Sequence, residues 1–148
     1  MTVLILVVFN LSIYKMENLK ESGTTVYFEL MPADPRSLLQ GDYMAFRYAI
    51  EKDFKPNKNV NAIVIATDQN SVARFLHYYS WGMMLSKNEM LFKLSNLGHI
   101  MPDSYFFQEG LAPKYAQAKY GVFKVDPNGD HILIGLADAQ LKLIDKMR

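Results

Sequence analysis

Cysteine is absent from the 148 residues, which removes disulfide scaffolds, thiolate zinc sites and thiol nucleophiles from consideration without indicating a compartment. Surplus charge is nearly absent too. Sixteen Lys and Arg face fifteen Asp and Glu, so there is no basic excess of the kind that nucleic acid attracts. None of the eight glycines falls in a GxxxxGKS/T or GxGxxG phosphate loop, and no GxSxG elbow marks a serine hydrolase. His77, His99 and His131 are scattered and form no HExxH-type pair, so neither a metal nor a cofactor is implied. What remains is a chain whose length suits one ordinary domain and whose residues, half of them hydrophobic, can fill a core.

Charge is also missing locally. Residues 1–14 carry no charged side chain, and Val3–Ile13 is apolar except for Asn10 and Ser12. Three readings fit: a membrane anchor, a cleaved secretory signal, or a buried β-branched strand over Val3–Phe9. Against the signal, nothing basic precedes Val3 and no small-x-small cleavage site follows. Against the strand, the pattern runs without turn residues to Glu21, as one helix leaving an apolar medium would, with Lys15 and Lys20 placed to snorkel. The run by itself is shorter than the roughly 20 apolar residues of a full span, so the anchor is expected to be abbreviated at its start. The expected organisation is an anchor and juxtamembrane segment over 1–22 and a single β-rich soluble domain over 23–148. Counting Lys15 and Lys20 by the positive-inside rule leaves the bulk of the chain cytoplasmic.

Beyond Ser22-Gly23 the period becomes two. Val26, Phe28 and Leu30 share one face of a strand, and Met44, Phe46, Tyr48 and Ile50 one face of the next. Val60–Ala66 is apolar on both faces, as a central strand is, and Asp68-Gln69-Asn70-Ser71 turns it into Val72–Tyr79. Met90–Leu94 alternates, and Pro102 demotes Ile100–Phe107 to an edge. Pro113 and Gly121 bracket a helix expected over Leu111–Tyr120. Val122–Asp126 and His131–Leu136 form a hairpin across Pro127-Asn128-Gly129-Asp130, after which Asp138 caps a closing helix. The expected fold is mainly β (a β-rich α+β chain): an antiparallel barrel or sandwich of about seven or eight strands with one short helix, behind an N-terminal hydrophobic anchor helix.

The segments that stand out are Asp34-Pro35-Arg36, Gly41-Asp42-Tyr43-Met44-Ala45-Phe46-Arg47-Tyr48, Phe106-Phe107-Gln108-Glu109-Gly110, and Tyr115 through Ala118-Lys119-Tyr120-Gly121. Together they resemble the GDYXXLXY proteins, a bacterial and usually membrane-anchored family, over nearly the whole chain, with Phe46 standing where the name-giving motif has Leu. The resemblance implies an anchored single domain with a signal-anchor, no assigned activity, association with a multi-pass membrane protein, and an extracytoplasmic body, opposite to the lysine count. Read from its own residues, the octapeptide describes how a strand is entered and buried, since positions 46 and 48 share the face of Met44 and Ile50. Tyr105, Phe106, Phe107, Tyr115 and Tyr120 read mostly as core. Asp34, Arg36, Asp42, Arg47 and Glu109 form either an ion-pair cluster locking two turns or a polar cleft.

The function expected is therefore a non-enzymatic, membrane-anchored domain that binds a membrane protein partner, held to the membrane through residues 1–20, with no nucleic acid involved. The alternatives are a membrane-associated hydrolase with a cleft around Asp34, Arg36, Asp42 and Glu109, and a small-ligand sensor with an enclosed cavity.

Overall fold

The computed structural model describes residues 2–32, 43–108 and 110–146. Its first element, α1, is a helix over Thr2–Ser22. The β-branched residues of this segment would suit a strand in water, but a helix satisfies every backbone group within itself, as an apolar medium requires. Its two polar side chains obey the same constraint. Asn10 Nδ2 donates to the Leu6 carbonyl at 3.0 Å and Ser12 Oγ to the Val8 carbonyl at 2.9 Å. The helix excludes the strand reading of Val3–Phe9.

Among the described residues nine strands follow: β1 (Thr24–Pro32), β2 (Tyr43–Tyr48), β3 (Ala62–Thr67), β4 (Ala73–Tyr78), β5 (Glu89–Lys93), β6 (Ser104–Phe106), β7 (Tyr120–Val125), β8 (His131–Ala137) and β9 (Leu143–Lys146). They form a six-stranded sheet in the order β6-β2-β1-β7-β8-β9 and a three-stranded sheet in the order β4-β3-β5. Every pairing between these strands is antiparallel, and one isolated parallel bridge joins Tyr27 to Val72. Among the described residues the larger sheet does not close, so the molecule is two sheets on a shared core and not a barrel.

Alternation decides what lies in that core. Val26 and Phe28 of β1 and Met44, Phe46 and Tyr48 of β2 point inward, and Ile50 follows them from a 3-10 turn over Ala49–Lys52. The smaller sheet contributes Ile63, Ile65 and Phe92, with β3 at its centre. The rings of Phe28, Tyr48, Phe92 and Phe123 meet edge-on or tilted at centroid distances of 4.7 to 5.9 Å. Edge-to-face pairs of this kind add about 0.5–1.5 kcal/mol each beyond their area.

Two expectations are corrected at the C-terminal end. The helix expected over Leu111–Tyr120 shrinks to α2, Ala112–Tyr115, because the chain after it is drawn into the sheet. Lys119 donates to the Ala137 carbonyl at 2.8 Å and accepts from Leu30 at 2.7 Å, and a ten-residue helix has too few bonds to compete with those ladders. Gly121 is accordingly a strand residue opposite Phe28, not a helix stop. Asp138 caps no helix. It shapes the turn into β9, the additional strand.

That turn is one of three built alike. Asp68, Asp126 and Asp138 each accept, through Oδ1, the amides two and four residues ahead, at 2.8 to 3.0 Å. Each turn carries its fourth residue in the left-handed region: Ser71 at φ 62°, Gly129 at 84° and Leu141 at 63°. Only Gly129 is also crowded, since a Cβ there would sit 2.9 Å from Leu91 Cγ and 3.1 Å from the Leu91 carbonyl. Gly129→Ala therefore adds a backbone clash to the left-handed penalty, and is expected to destabilise by about 2–4 kcal/mol. Asp126→Ala, losing two charge-assisted bonds, is expected to destabilise by about 1–3 kcal/mol. Urea midpoints of the two variants check both values.

Candidate functional site

The GDY octapeptide is the natural place to begin, and the structure describes it from Tyr43 onward. Asp34, Pro35, Arg36, Gly41, Asp42 and Glu109 lie outside the described residues. Tyr43 opens β2 on the surface, its ring 5.7 Å from that of Phe106. Phe106 is exposed as well, against its reading as core, whereas Tyr105 and Tyr115 are buried. Tyr48 is fully buried; its hydroxyl donates to the Pro102 carbonyl, tying β2 to the segment that leads into β6. Burial, helped by Glu51 and Asp103, holds this hydroxyl well above the ordinary tyrosine range, so it stays a neutral donor.

The partner of Tyr48 across the core is a glycine. A Cβ at Gly121 would stand 3.2 Å from Tyr48 Cε1 and 3.3 Å from Leu133 Cδ1. The last residue of the octapeptide and the glycine of the Lys119-Tyr120-Gly121 stretch are thus one contact: a ring seated where no side chain stands. Tyr120 lies beside it on β7, edge-on to Tyr27 at 6.4 Å. Tyr115 is buried against Phe107 at 4.8 Å and Tyr105 at 5.4 Å, while Gly110 takes a φ of 86° in open space. Of the described motif residues, Tyr48 and Gly121 come together as one core contact, Tyr115 packs into its own aromatic group, and Tyr43 and Gly110 stand apart from both.

Beside β2 lies a recess of about 290 Å³, lined in part by Arg47, Tyr48, Glu51, His99 and Asp103. Glu51 Oε1 accepts from the Ile100 amide at 2.8 Å and lies 3.5 Å from His99 Nδ1. Glu51, His99 and Asp103 did not emerge from the sequence, because they come from separate segments with no fixed spacing. The carboxylate here is engaged in holding the 99–101 segment, which is a structural duty. A larger recess of about 720 Å³ includes Asp68 and Asp126, whose carboxylates are the turn acceptors described above. Among the described residues, no three His, Asp or Glu side chains converge as a metal site.

His131 is half-buried against the rings of Phe92 and Phe123. Its ring stacks on Phe92 at 3.9 Å, with Nδ1 3.2 Å from the Gly129 carbonyl and Nε2 3.2 Å from the Met101 carbonyl. Burial lowers its pKa from the ordinary 6.5, against the opposing pull of the two carbonyls and of Asp130 and Asp126. Asp130 is held below its usual range by Lys15 and Lys93.

The sequence pattern of the GDYXXLXY protein family matches residues 5–136, most of the chain, and the chain belongs to that family. No curated protein and no solved structure matches it.

Two measurements follow from this geometry. Tyr48→Phe strands the Pro102 carbonyl and Gly121→Ala forces the ring aside, so each is expected to lower stability by about 1–3 kcal/mol in urea unfolding. For His131, the unfolded chain takes up its proton near pH 6.5 while the folded chain resists. Stability from this group is therefore complete above that pH and falls as the pH drops toward the depressed folded value. The urea midpoint is expected to decline between pH 7.5 and 5, and His131→Gln to flatten that decline.

Proposed function

We propose that this member of the GDYXXLXY family is a non-enzymatic, membrane-tethered β domain whose body, on the extracytoplasmic side, binds a multi-pass membrane protein. The observation that carries the reading is the girth of α1. Its large apolar residues from Val3 to Ile13 are 51% to 73% exposed all round, and the helix buries only Leu19 against the body. An isolated helix hydrophobic on every face has to be covered by lipid or by other helices. The helix of 21 residues is about 32 Å long, and its uncharged part, residues 2–14, accounts for about 20 Å of it. The helix is a candidate anchor by length and composition.

A second surface supports a protein partner. The crossover from β4 to β5 carries the chain's one tryptophan, Trp81, 98% exposed, and Met84, 92% exposed. Leu85, Lys87 and Asn88 at the base of this crossover share a recess with Thr24, the first strand residue after α1. The apolar tip therefore springs from the end of the body where the anchor leaves it. An exposed tryptophan with a flexible methionine is the composition of an interface hot spot. The partner's multi-pass character and the side of the membrane rest on the family resemblance.

The test is affinity purification of the full chain in mild detergent from its own cells. A multi-pass protein is expected to copurify, and Trp81→Ala with Met84→Ala is expected to lower its recovery about ten-fold or more, leaving stability within about 0.5 kcal/mol. Unchanged recovery from the double variant contradicts this surface. Because the chain has no cysteine, a Cys placed at position 81 reports its side directly. Labelling of intact cells by an impermeant maleimide is expected, and labelling only after lysis contradicts the extracytoplasmic body.

A further inference from the structure

Where α1 meets the body, Ser12, Lys15, Met16 and Leu19 of the helix face Lys93, Asp130 and His131 across a recess of about 340 Å³. Lys15 Nζ lies 2.7 Å from Asp130 Oδ2, and Lys93 Nζ 2.8 Å from Asp130 Oδ1. One carboxylate thus sits between two ammonium groups, each of which has three donors and directs one of them at Asp130. The next acidic group, Asp126, already accepts the amides of Asn128 and Asp130. His131 contributes the face of a ring whose pKa is lowered by burial, so it brings no fixed charge at neutral pH. Asp126 still acts on Lys15 through its charge, so what the recess offers is not a net charge but the ammonium donors that Asp130 does not take, beside walls that include Met16 and Leu19.

We infer that this recess binds the phosphodiester of an anionic phospholipid, the two lysines bracketing the phosphate and the Met16 and Leu19 side chains lining its glycerol. The inference rests on α1 being a membrane anchor, as proposed above. Lys15 is the first charged residue after the apolar stretch, so with that stretch in hydrocarbon its ammonium lies at headgroup depth. Lys93 and Asp130 are fixed to it and share that depth. The two unesterified oxygens of a diester phosphate accept from those remaining ammonium donors. Its acyl chains would continue along the exposed apolar side chains of α1, a surface that no soluble phosphate uses.

The full chain in neutral detergent is equilibrated with equal phosphatidylglycerol and phosphatidylcholine, and retained lipid is read by native mass spectrometry. Phosphatidylglycerol is expected to be preferred, and Lys15→Gln or Lys93→Gln each to lower that preference about five-fold. Lys→Arg at either position restores it. Asp130→Asn raises the preference, because both ammonium groups lose their internal anion. A merely structural ion pair predicts no such rise. Equal retention of the two lipids, or a preference unmoved by the glutamine variants, overturns the site. Displacement of phosphatidylglycerol by millimolar glycerol phosphate overturns the lipid and assigns the recess to a soluble anion. Flotation with phosphatidylcholine vesicles separates this inference from the anchor: the Lys15→Gln, Lys93→Gln double variant still floats if only the headgroup site is wrong, whereas a wild-type chain that fails to float refutes the anchor.

Discussion

A helix that presents apolar side chains around its whole circumference cannot be solvated by a small β domain that touches it along one short stretch. The body covers Leu19 and leaves the rest, and the two polar residues inside the apolar run bond back to carbonyls four residues earlier. That combination, no residue of the apolar run hidden by the body and its polar side chains satisfied within the helix, is what a hydrocarbon environment demands. The placement of everything else follows from it. With α1 as the proposed anchor, the junction at Lys15, Asp130 and Lys93 would set the depth of the body, and the crossover bearing Trp81 begins beside the start of β1.

The body itself is organised around an aromatic centre and not around a polar one. Tyr48 is the pivot. Its ring needs the bare backbone of Gly121, its hydroxyl needs the Pro102 carbonyl, and its neighbours are Phe28, Phe46 and Phe123. The signature of the family is, in its described part, the recipe for this contact: alternate residues Met44, Phe46 and Tyr48 turned inward on a strand paired with β1 and β6. In its described part, the motif specifies a fold.

Periodicity made much of this legible. The inward set of β2, the doubly buried β3 and the edge position of β6 are all consequences of side-chain alternation and of proline's missing donor, which are local properties. The failures were non-local. Lys119 and Tyr120 sit in a helical pattern, but β1, far back in the chain, and β8, beyond the next hairpin, supply better hydrogen bonds. Asp138 has the chemistry of a helix cap and of a turn acceptor alike, and the pairing of β9 with β8 decides between them. Glu51 and His99, or Lys15 and Asp130, share no spacing that a sequence could display; only the folded chain brings them together.

The central claim, that α1 is immersed in hydrocarbon on all sides, has a direct readout because the chain contains no native cysteine. Single cysteines are introduced one at a time from position 3 to position 22 in membranes, and each is exposed to a water-borne maleimide. The account predicts uniform protection from 3 to 13 on every face of the helix, with labelling recovered beyond Lys15 except at position 19. Protection that instead oscillates every three to four residues along 3–13 would mean one face in water, and would contradict it.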